Sequence, residues 1–404
     1  MKIPFSPPRI DDKTIEAVKE TLLSGWITSG PKTAQFEEEL SNYIGIENVL
    51  CLNSATAGLQ LALEWLGIGK GDEVIVPCYT YCATANVVLQ KGAKPIMIDI
   101  NQDDFNINTN KIKEAITKKT KAIISVDIAG YPVDYDKIKE LISSTEITTL
   151  FNGESDNQKK MGRIAFISDA AHSIGAVYKG KKTGNHADIS SFSFHAVKNL
   201  TTAEGGAVAF NLPNSFDNKK VKNHFKILSL HGQTKDALTK NKAGSWEYDV
   251  IQPGYKCNMT DIQAAIGLVE LNRYNQTLNR RKEIFKAYDD FFKKFDWAIT
   301  PKYESTNKLT SYHLYMLRIN NCSKEKRNAI IELISSYDVA VNVHYKPLPL
   351  LTVYKNEGYK MSDFPQANAN YEHEISLPVY YDLTNEQIKR VVDVIKKAVE
   401  SILC

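Results

Sequence analysis

Two segments carry the reading of the chain: Ile164–Ser173 (IAFISDAAHS) and Ile189–Gly206 (ISSFSFHAVKNLTTAEGG). Each opens as a short apolar run and closes in small and polar residues. Ile164–Ser168 predicts a strand ending in Asp169, and Ile189–Phe194 predicts another ending before Lys198. The same rhythm extends upstream through Val49–Leu52, Glu73–Val76, Pro95–Asp99 and Ala122–Val126, with helical patterns between these runs. Strands alternating with helices of this length predict an α/β fold, a mostly parallel sheet covered on both faces.

Residues 12–24 place Ile15, Val18 and Leu22 at helical spacing, which predicts an opening amphipathic helix stopped by Gly25. The polar stretch Ser143–Arg163 breaks the alternation and is expected to be a loop extension. Met259–Phe292 reads as one long helical stretch. Tyr312–Ile319 and Val339–His344 read as strands, with helices at Lys324–Tyr337 and Asn385–Leu403. The 404 residues exceed the roughly 250–300 at which one core stops growing. The expected division is a large α/β domain at 1–258, then a linking helix and a small C-terminal α+β domain at 259–404.

Composition excludes several classes. Apolar residues at 43% and charged residues at 24% are those of an ordinary folded chain, not a disordered or fibrous one. A net charge of +3, from 50 basic and 47 acidic residues, argues against nucleic acid as a partner. No apolar run approaches the roughly 20 residues of a membrane span. Met1–Ile10 holds three prolines and no apolar core of a signal peptide, so a cytoplasmic location is expected. The cysteines Cys51, Cys78, Cys82, Cys257, Cys322 and Cys404 form no C-x-x-C pair, so reduced thiols are expected and no metal site. The clusters Lys118–Lys121 and Lys179–Lys182 are expected to be solvated loop and helix ends.

Four strand ends carry residues suited to one cofactor. Lys198 lies just past a strand, where α/β proteins bind ligands; desolvation there would lower its pKa and make it a nucleophile. An exposed loop lysine is the alternative. Asp169, followed by two alanines that let a ring approach, could hold a pyridinium nitrogen protonated; it could also cap a helix. Asn53–Gly58 (NSATAG) stands between a strand and a helix, where small residues leave backbone N–H groups free for a phosphate and Thr56 adds a hydroxyl, or where a Ser or Thr simply caps the helix. In Pro77–Thr84 either tyrosine could stack on a planar ring or belong to the core. Lysine, acid, phosphate loop and aromatic plate together form the inventory for pyridoxal phosphate.

With these motifs the chain resembles the DegT/DnrJ/EryC1/StrS sugar aminotransferases over nearly its whole length. The motifs that carry the resemblance are S-F-H-x-x-K-N at 193–199, E-G-G at 204–206, D-A-A-H at 169–172 and P-G-Y-K-x-N at 253–258. Within the family it is most similar to enzymes aminating C-4 of UDP-4-keto sugars. The resemblance implies a pyridoxal phosphate-dependent aminotransferase of fold type I, a homodimer with active sites shared at the subunit interface. It implies that Lys198 binds the cofactor covalently, Asp169 its ring nitrogen, and His172 its ring hydroxyl side, with Tyr81 stacked on the ring. Ala55, Thr56 and Ser193 would hold the phosphate, and Asn258 would reach it from the other subunit. Trp26, Thr28 and Ser29 in the Gly25–Pro31 segment, together with His344, resemble the part that faces the sugar nucleotide. The counterpart of Ser143–Arg163 is usually shorter in the family.

The implied partners are a UDP-4-keto sugar and L-glutamate, which leaves as 2-oxoglutarate, in surface polysaccharide or glycan biosynthesis. Basic positions in the 222–242 segment are candidates for the diphosphate. One rival is amination at C-3 or C-4 of a dTDP- or GDP-linked keto sugar. Another is a non-catalytic regulatory homologue, which would be expected to lose Lys198 or Asp169. Dehydratases of the family carry His in place of the lysine, and Lys198 is present here. A nicotinamide dehydrogenase is excluded because no Gly-x-Gly-x-x-Gly follows the first strand.

Overall fold

The computed structural model describes residues 2–235 and 247–403. Two helices open the chain, α1 (Asp12–Leu23) and α2 (Pro31–Ile44), followed by β1 (Val49–Leu52) and α3 (Ala55–Trp65). The strands β2 (Glu73–Pro77), β3 (Lys94–Ile98), β4 (Thr120–Val126) and β5 (Ala165–Asp169) follow, each joined to the next by helix-containing connections. A short hairpin, β6 (Val177–Tyr178) and β7 (Lys181–Lys182), precedes β8 (Ile189–Ser193) and β9 (Gly206–Phe210). Seven of these strands form one sheet in the order β1-β9-β8-β5-β4-β2-β3. Pairing is parallel from β3 across to β8, while β9 runs antiparallel to both of its neighbours.

Burial on both faces explains why these strands are apolar without a break. Val74, Val76, Ile124 and Ile167 pack with Leu59 and Leu63 of α3 on one side. Their neighbours in sequence Ile75, Ile123 and Phe166 pack with Ile112, Tyr135, Ile138 and Ile142 on the other. Gly58 lets α3 settle on the sheet: a Cβ there would come within 2.3 Å of Ser191 Oγ and 2.6 Å of a Val208 methyl.

The small C-terminal sheet joins β10 (Ala298–Ile299), β13 (Tyr315–Ile319) and β14 (Glu374–Leu377), in the order β10-β13-β14. Tyr315, Leu317, Ile375 and Leu377 meet Val391, Ile395 and Val399 of the helix Asn385–Leu403. The remaining short strands, β11 (Glu304–Ser305) and β12 (Lys308–Leu309), extend the β6–β7 hairpin into a four-stranded sheet.

Four local expectations are corrected. Ser143–Arg163 is not a loop but contains two short helices, Thr145–Leu150 and Asp156–Met161. Its Asn157 donates to Trp65 O at 2.7 Å and its Ser155 to Leu66 O at 2.7 Å, satisfying carbonyls at the end of α3. The helical stretch from 259 breaks at Arg273 into Asp261–Asn272 and Tyr274–Phe292. Val339–His344 forms no strand; Val339 and Asn342 make only isolated bridges, to Ile3 and Ser376. Lys121 is not solvated but buried, its ammonium held by Asn152 O and 3.3 Å from Glu154. The expected helix α1 forms and turns part of its apolar stripe outward: Ile15, Leu22 and Leu23 are 57%, 53% and 78% exposed, while Thr14 and Thr21 are buried.

Candidate active site

A cleft of about 460 Å³ opens where several sheet strands end. Val126, Asp169 and Ser193 close β4, β5 and β8, and all three line it. Ser54, Ala55 and Thr56 at the start of α3 form one wall, Thr80 and Tyr81 beyond β2 another, and His344 and Tyr345 enter from the C-terminal half. This is where an open parallel sheet binds ligands.

Lys198 lies in the loop after β8. Desolvation lowers its pKa to about 8, against a smaller upward pull from Asp169. Asp169 is buried, and that burial raises its pKa, opposed by Thr84, the Ala171 N–H and Lys198. Thr84 Oγ1 donates to Asp169 Oδ2 at 2.8 Å, and Ala171 N to Oδ1 at 3.3 Å. The acid therefore keeps two hydrogen-bond donors that favour its charged form.

His172 is buried beside His313, with ring centroids 4.4 Å apart. Burial, with Lys198 and His344 nearby, holds His172 well below the usual imidazole range and therefore neutral. Its Nε2 lies 2.9 Å from Tyr345 OH, and its Nδ1 has no partner among the described residues. A phenol donating to Nε2 leaves the hydrogen on Nδ1, a buried donor in need of an acceptor.

The other wall suits an anion. Ser54 caps α3 by accepting from Ala57 N at 3.1 Å, and Ala55 and Thr56 at the N-terminus of this 11-residue helix line the cleft. Ser193 adds a hydroxyl. Gly206 keeps this corner tight: a Cβ would lie 2.4 Å from Ser54 C and 2.5 Å from Ala55 N, both backbone atoms.

The structure thus brings Ala55, Thr56, Tyr81, Asp169, His172, Ser193, Lys198 and His344 to one cleft. Tyr81 is 60% exposed at its mouth, with its ring 5.9 Å from that of Tyr345. Asn258, Trp26, Thr28 and Ser29 do not line the cleft of their own chain. They form a second group: Asn258 Nδ2 donates to Ser29 Oγ at 2.6 Å, Trp26 Nε1 to Ser29 O at 3.2 Å, and Asp261 N to Thr28 O at 3.1 Å. Of the basic positions at 222–242, Lys222 pairs with Glu37 at 2.8 Å, and residues 236–242 lie outside the described residues. The five described cysteines are free, and no metal-binding cluster of His, Cys, Asp or Glu occurs among the described residues. Neither is any described helix long and apolar enough to cross a membrane.

Sequence reading missed Thr84, Tyr345 and the pair His313–Asn199, in which His313 Nδ1 lies 2.9 Å from Asn199 Oδ1. Thr84 was open to detection, since its stretch follows a strand; Tyr345 and His313 come beside Lys198 only through tertiary packing.

Fold and cleft are those of a pyridoxal phosphate-dependent aminotransferase. The chain belongs to the DegT/DnrJ/EryC1/StrS aminotransferase family, whose model matches residues 8–152 and 156–396. A Streptococcus pneumoniae protein named as a sugar aminotransferase, solved in its PLP-form, is 45% identical with a TM-score of 0.95, the match covering 100% of both chains. The spore coat polysaccharide biosynthesis protein SpsC of Bacillus subtilis is 35% identical over 402 residues, 98% of this chain and 97% of that one. PseC of Helicobacter pylori, an aminotransferase involved in the biosynthesis of pseudoaminic acid, is 29% identical. Its TM-score is 0.85, with 99% of this chain and 100% of that chain covered.

Proposed function

We propose that the protein moves an amino group from L-glutamate to C-4 of a UDP-linked 4-keto sugar, in bacterial surface polysaccharide or glycan biosynthesis. The observation that carries the amino-transfer reading is the Lys198 amine, depressed to about 8, lining one cleft with the buried Asp169. The polysaccharide role of SpsC and the pseudoaminic acid role of PseC support a sugar acceptor. The UDP group and C-4 rest on the motif resemblance.

The donor set fits pyridoxal phosphate. The α3 N-terminus, Thr56 and Ser193 offer N–H and O–H donors to a phosphate, Asp169 an acceptor to a ring nitrogen, and the unpaired His172 Nδ1 a donor to a ring oxygen. When bound, the cofactor supplies an electron sink that allows a proton and an amino group to leave the donor carbon. The chain supplies the rest. With a pKa of about 8, Lys198 is unprotonated in about one molecule in ten at pH 7, far more often than an ordinary lysine, and can take up and return a proton. Thr84 and the Ala171 N–H hold Asp169 in place and favour its anion.

The working unit is a cytoplasmic homodimer. The apolar stripe of α1 lies exposed, and the Asn258–Ser29 group just beyond α1 is not used by its own cleft. A second copy covering that stripe would bring Asn258, Trp26, Thr28 and Ser29 to the partner's cleft.

Visible absorbance of the purified protein tests the reading. Glutamate should bleach a yellow band, and a UDP-4-keto sugar should restore it where dTDP- and GDP-keto sugars do not. Restoration by either of those two instead overturns the UDP assignment. A protein that stays colourless when supplied with the cofactor overturns the amino-transfer reading.

A further inference from the structure

Glu374 and Ser376 lie two residues apart on β14, so they share one face of the strand while Ile375 and Leu377 turn into the small-domain core. The shared face meets His344. Ser376 Oγ lies 2.5 Å from Glu374 Oε1 and 2.9 Å from His344 Nδ1, and the His344 backbone N–H donates to Glu374 Oε2 at 3.0 Å. Glu374 and Ser376 are fully buried, whereas His344 lines the cleft with Lys198. The imidazole is stacked on Phe5, and its Nε2 makes no hydrogen bond among the described residues.

A buried carboxyl ordinarily sits against a cation. Arg327 is the nearby candidate, yet its Nη1 is spent on the backbone oxygens of Tyr371 and Glu374. The Glu374 carboxyl is left facing a hydroxyl and one N–H, a single hydroxyl away from a cleft histidine. An apolar side chain would serve packing better, so the arrangement calls for a role in the cleft.

We propose that Glu374, Ser376 and His344 form a proton relay opening on the cleft, in which the charge of Glu374 sets which nitrogen of His344 carries its hydrogen. With Glu374 ionised, Ser376 donates to it, His344 Nδ1–H donates to Ser376, and Nε2 offers the cleft a lone pair. With Glu374 protonated, the carboxyl donates to Ser376, Ser376 donates to Nδ1, and Nε2–H faces the cleft as a donor. One proton separates the two states. Taken up at Nε2, it passes as the Nδ1 hydrogen moves to Ser376 and the Ser376 hydrogen moves to Glu374. The use made of this relay rests on the amino-transfer reading; its existence does not.

Burial pushes the Glu374 carboxyl up to about 8, which places the switch near neutrality. Arg327, Tyr79 and Tyr345 face Glu374 electrostatically, and Lys198, His172 and His313 face His344. Desolvation and then Lys198 lower the His344 pKa to about 4, so the relay exchanges neutral tautomers rather than creating an imidazolium.

Nitrogen-15 NMR of the resting, histidine-labelled protein tests this, with the His344 signals assigned by their loss in His344→Gln. In the wild type the protonated nitrogen should change from Nε2 to Nδ1 between about pH 6 and about pH 9. Glu374→Gln, whose amide oxygen accepts from the His344 backbone N–H and so turns its NH2 toward Ser376, should hold the hydrogen on Nε2 throughout. Ser376→Ala should uncouple the tautomer from Glu374. A tautomer that does not change in the wild type, or that changes equally in Glu374→Gln, overturns the proposal. No turnover enters this measurement, so failure of the amino-transfer reading would show in the absorbance test instead. In the working enzyme, KM for the keto-sugar nucleotide should vary about tenfold over the same range through Glu374, and Glu374→Gln should lose that part of the variation and keep the part due to Lys198. A pH dependence unchanged by that substitution also overturns the proposal.

Discussion

Thr84 Oγ1 stands 2.8 Å from Asp169 Oδ2 and 3.0 Å from Thr80 Oγ1, so the buried acid at the end of β5 is tied to the helix that follows β2. Desolvation raises the Asp169 pKa, and this hydrogen bond is the largest effect opposing it. Ionisation of the acid therefore depends on a residue from a separate strand-to-helix connection.

Thr84→Val keeps the shape and removes the donor. The Asp169 carboxyl should then titrate at higher pH, and the acid limb of the kcat/KM profile should move up with it. At neutral pH about a tenfold loss is expected, the scale of one hydrogen bond to a charged group. An acid limb that stays in place would mean that Thr84 serves packing alone.

At Gly206 the obstacle is backbone rather than a movable side chain. The Cβ of Gly206→Ala would fall 2.4 Å from Ser54 C, 2.5 Å from Ala55 N and 2.7 Å from Phe192 O. Relief requires β9 and the start of α3 to separate, costing about 1–3 kcal/mol or more. With the start of α3 holding the phosphate as proposed, cofactor affinity should fall along with Tm. Fluorescence titration with pyridoxal phosphate, beside a thermal melt, checks both; a Tm loss with unchanged affinity would detach Gly206 from the phosphate site.

The large sheet was legible because each parallel strand is buried on both faces, so Ile123–Ile124 or Phe166–Ile167 reads as unbroken apolar sequence. Asp169 and Lys198 stood out as polar residues just past such runs. Helical periodicity groups Ile15, Val18 and Leu22 on one face without saying which way it turns, and α1 turns part of that face outward. The alternation in Val339–His344 resembles a strand, but only Val339 and Asn342 find bridge partners there. Glu374 and Ser376 gave no signal, because their meaning lies in a contact with His344 some thirty residues away. The grouping of Ser29 with Asn258 is likewise a product of folding, spanning 229 positions.

Lys198→Ala removes the amine without disturbing the strand beneath it, since the residue lies in the loop past β8. Turnover should fall below about one per cent of wild type, because no other amine among the residues lining the cleft can replace it. Circular dichroism should be unchanged. Lys198→Arg should be as inactive, as a guanidinium stays charged where a neutral amine is needed. Activity of more than a few per cent in either variant would remove Lys198 from its assigned role.

Glu374 also leaves a signature in stability. Its pKa is raised from an ordinary 4.5 to about 8 in the folded chain, with burial as the main cause. Between those values the folded state holds a proton that the unfolded state has released, so folding loses stability as pH rises through this window. Glu374→Gln, which cannot ionise, should lack this loss. The unfolding free-energy difference between variant and wild type, and with it the Tm difference, should grow in favour of the variant from about pH 5 to about pH 8, the free energy reaching about a few kcal/mol, and then level off. Thermal melts at matched ionic strength measure it. A difference constant with pH would show that the Glu374 carboxyl titrates in the ordinary range, charged at neutral pH despite its burial, and that the relay stays in its ionised state.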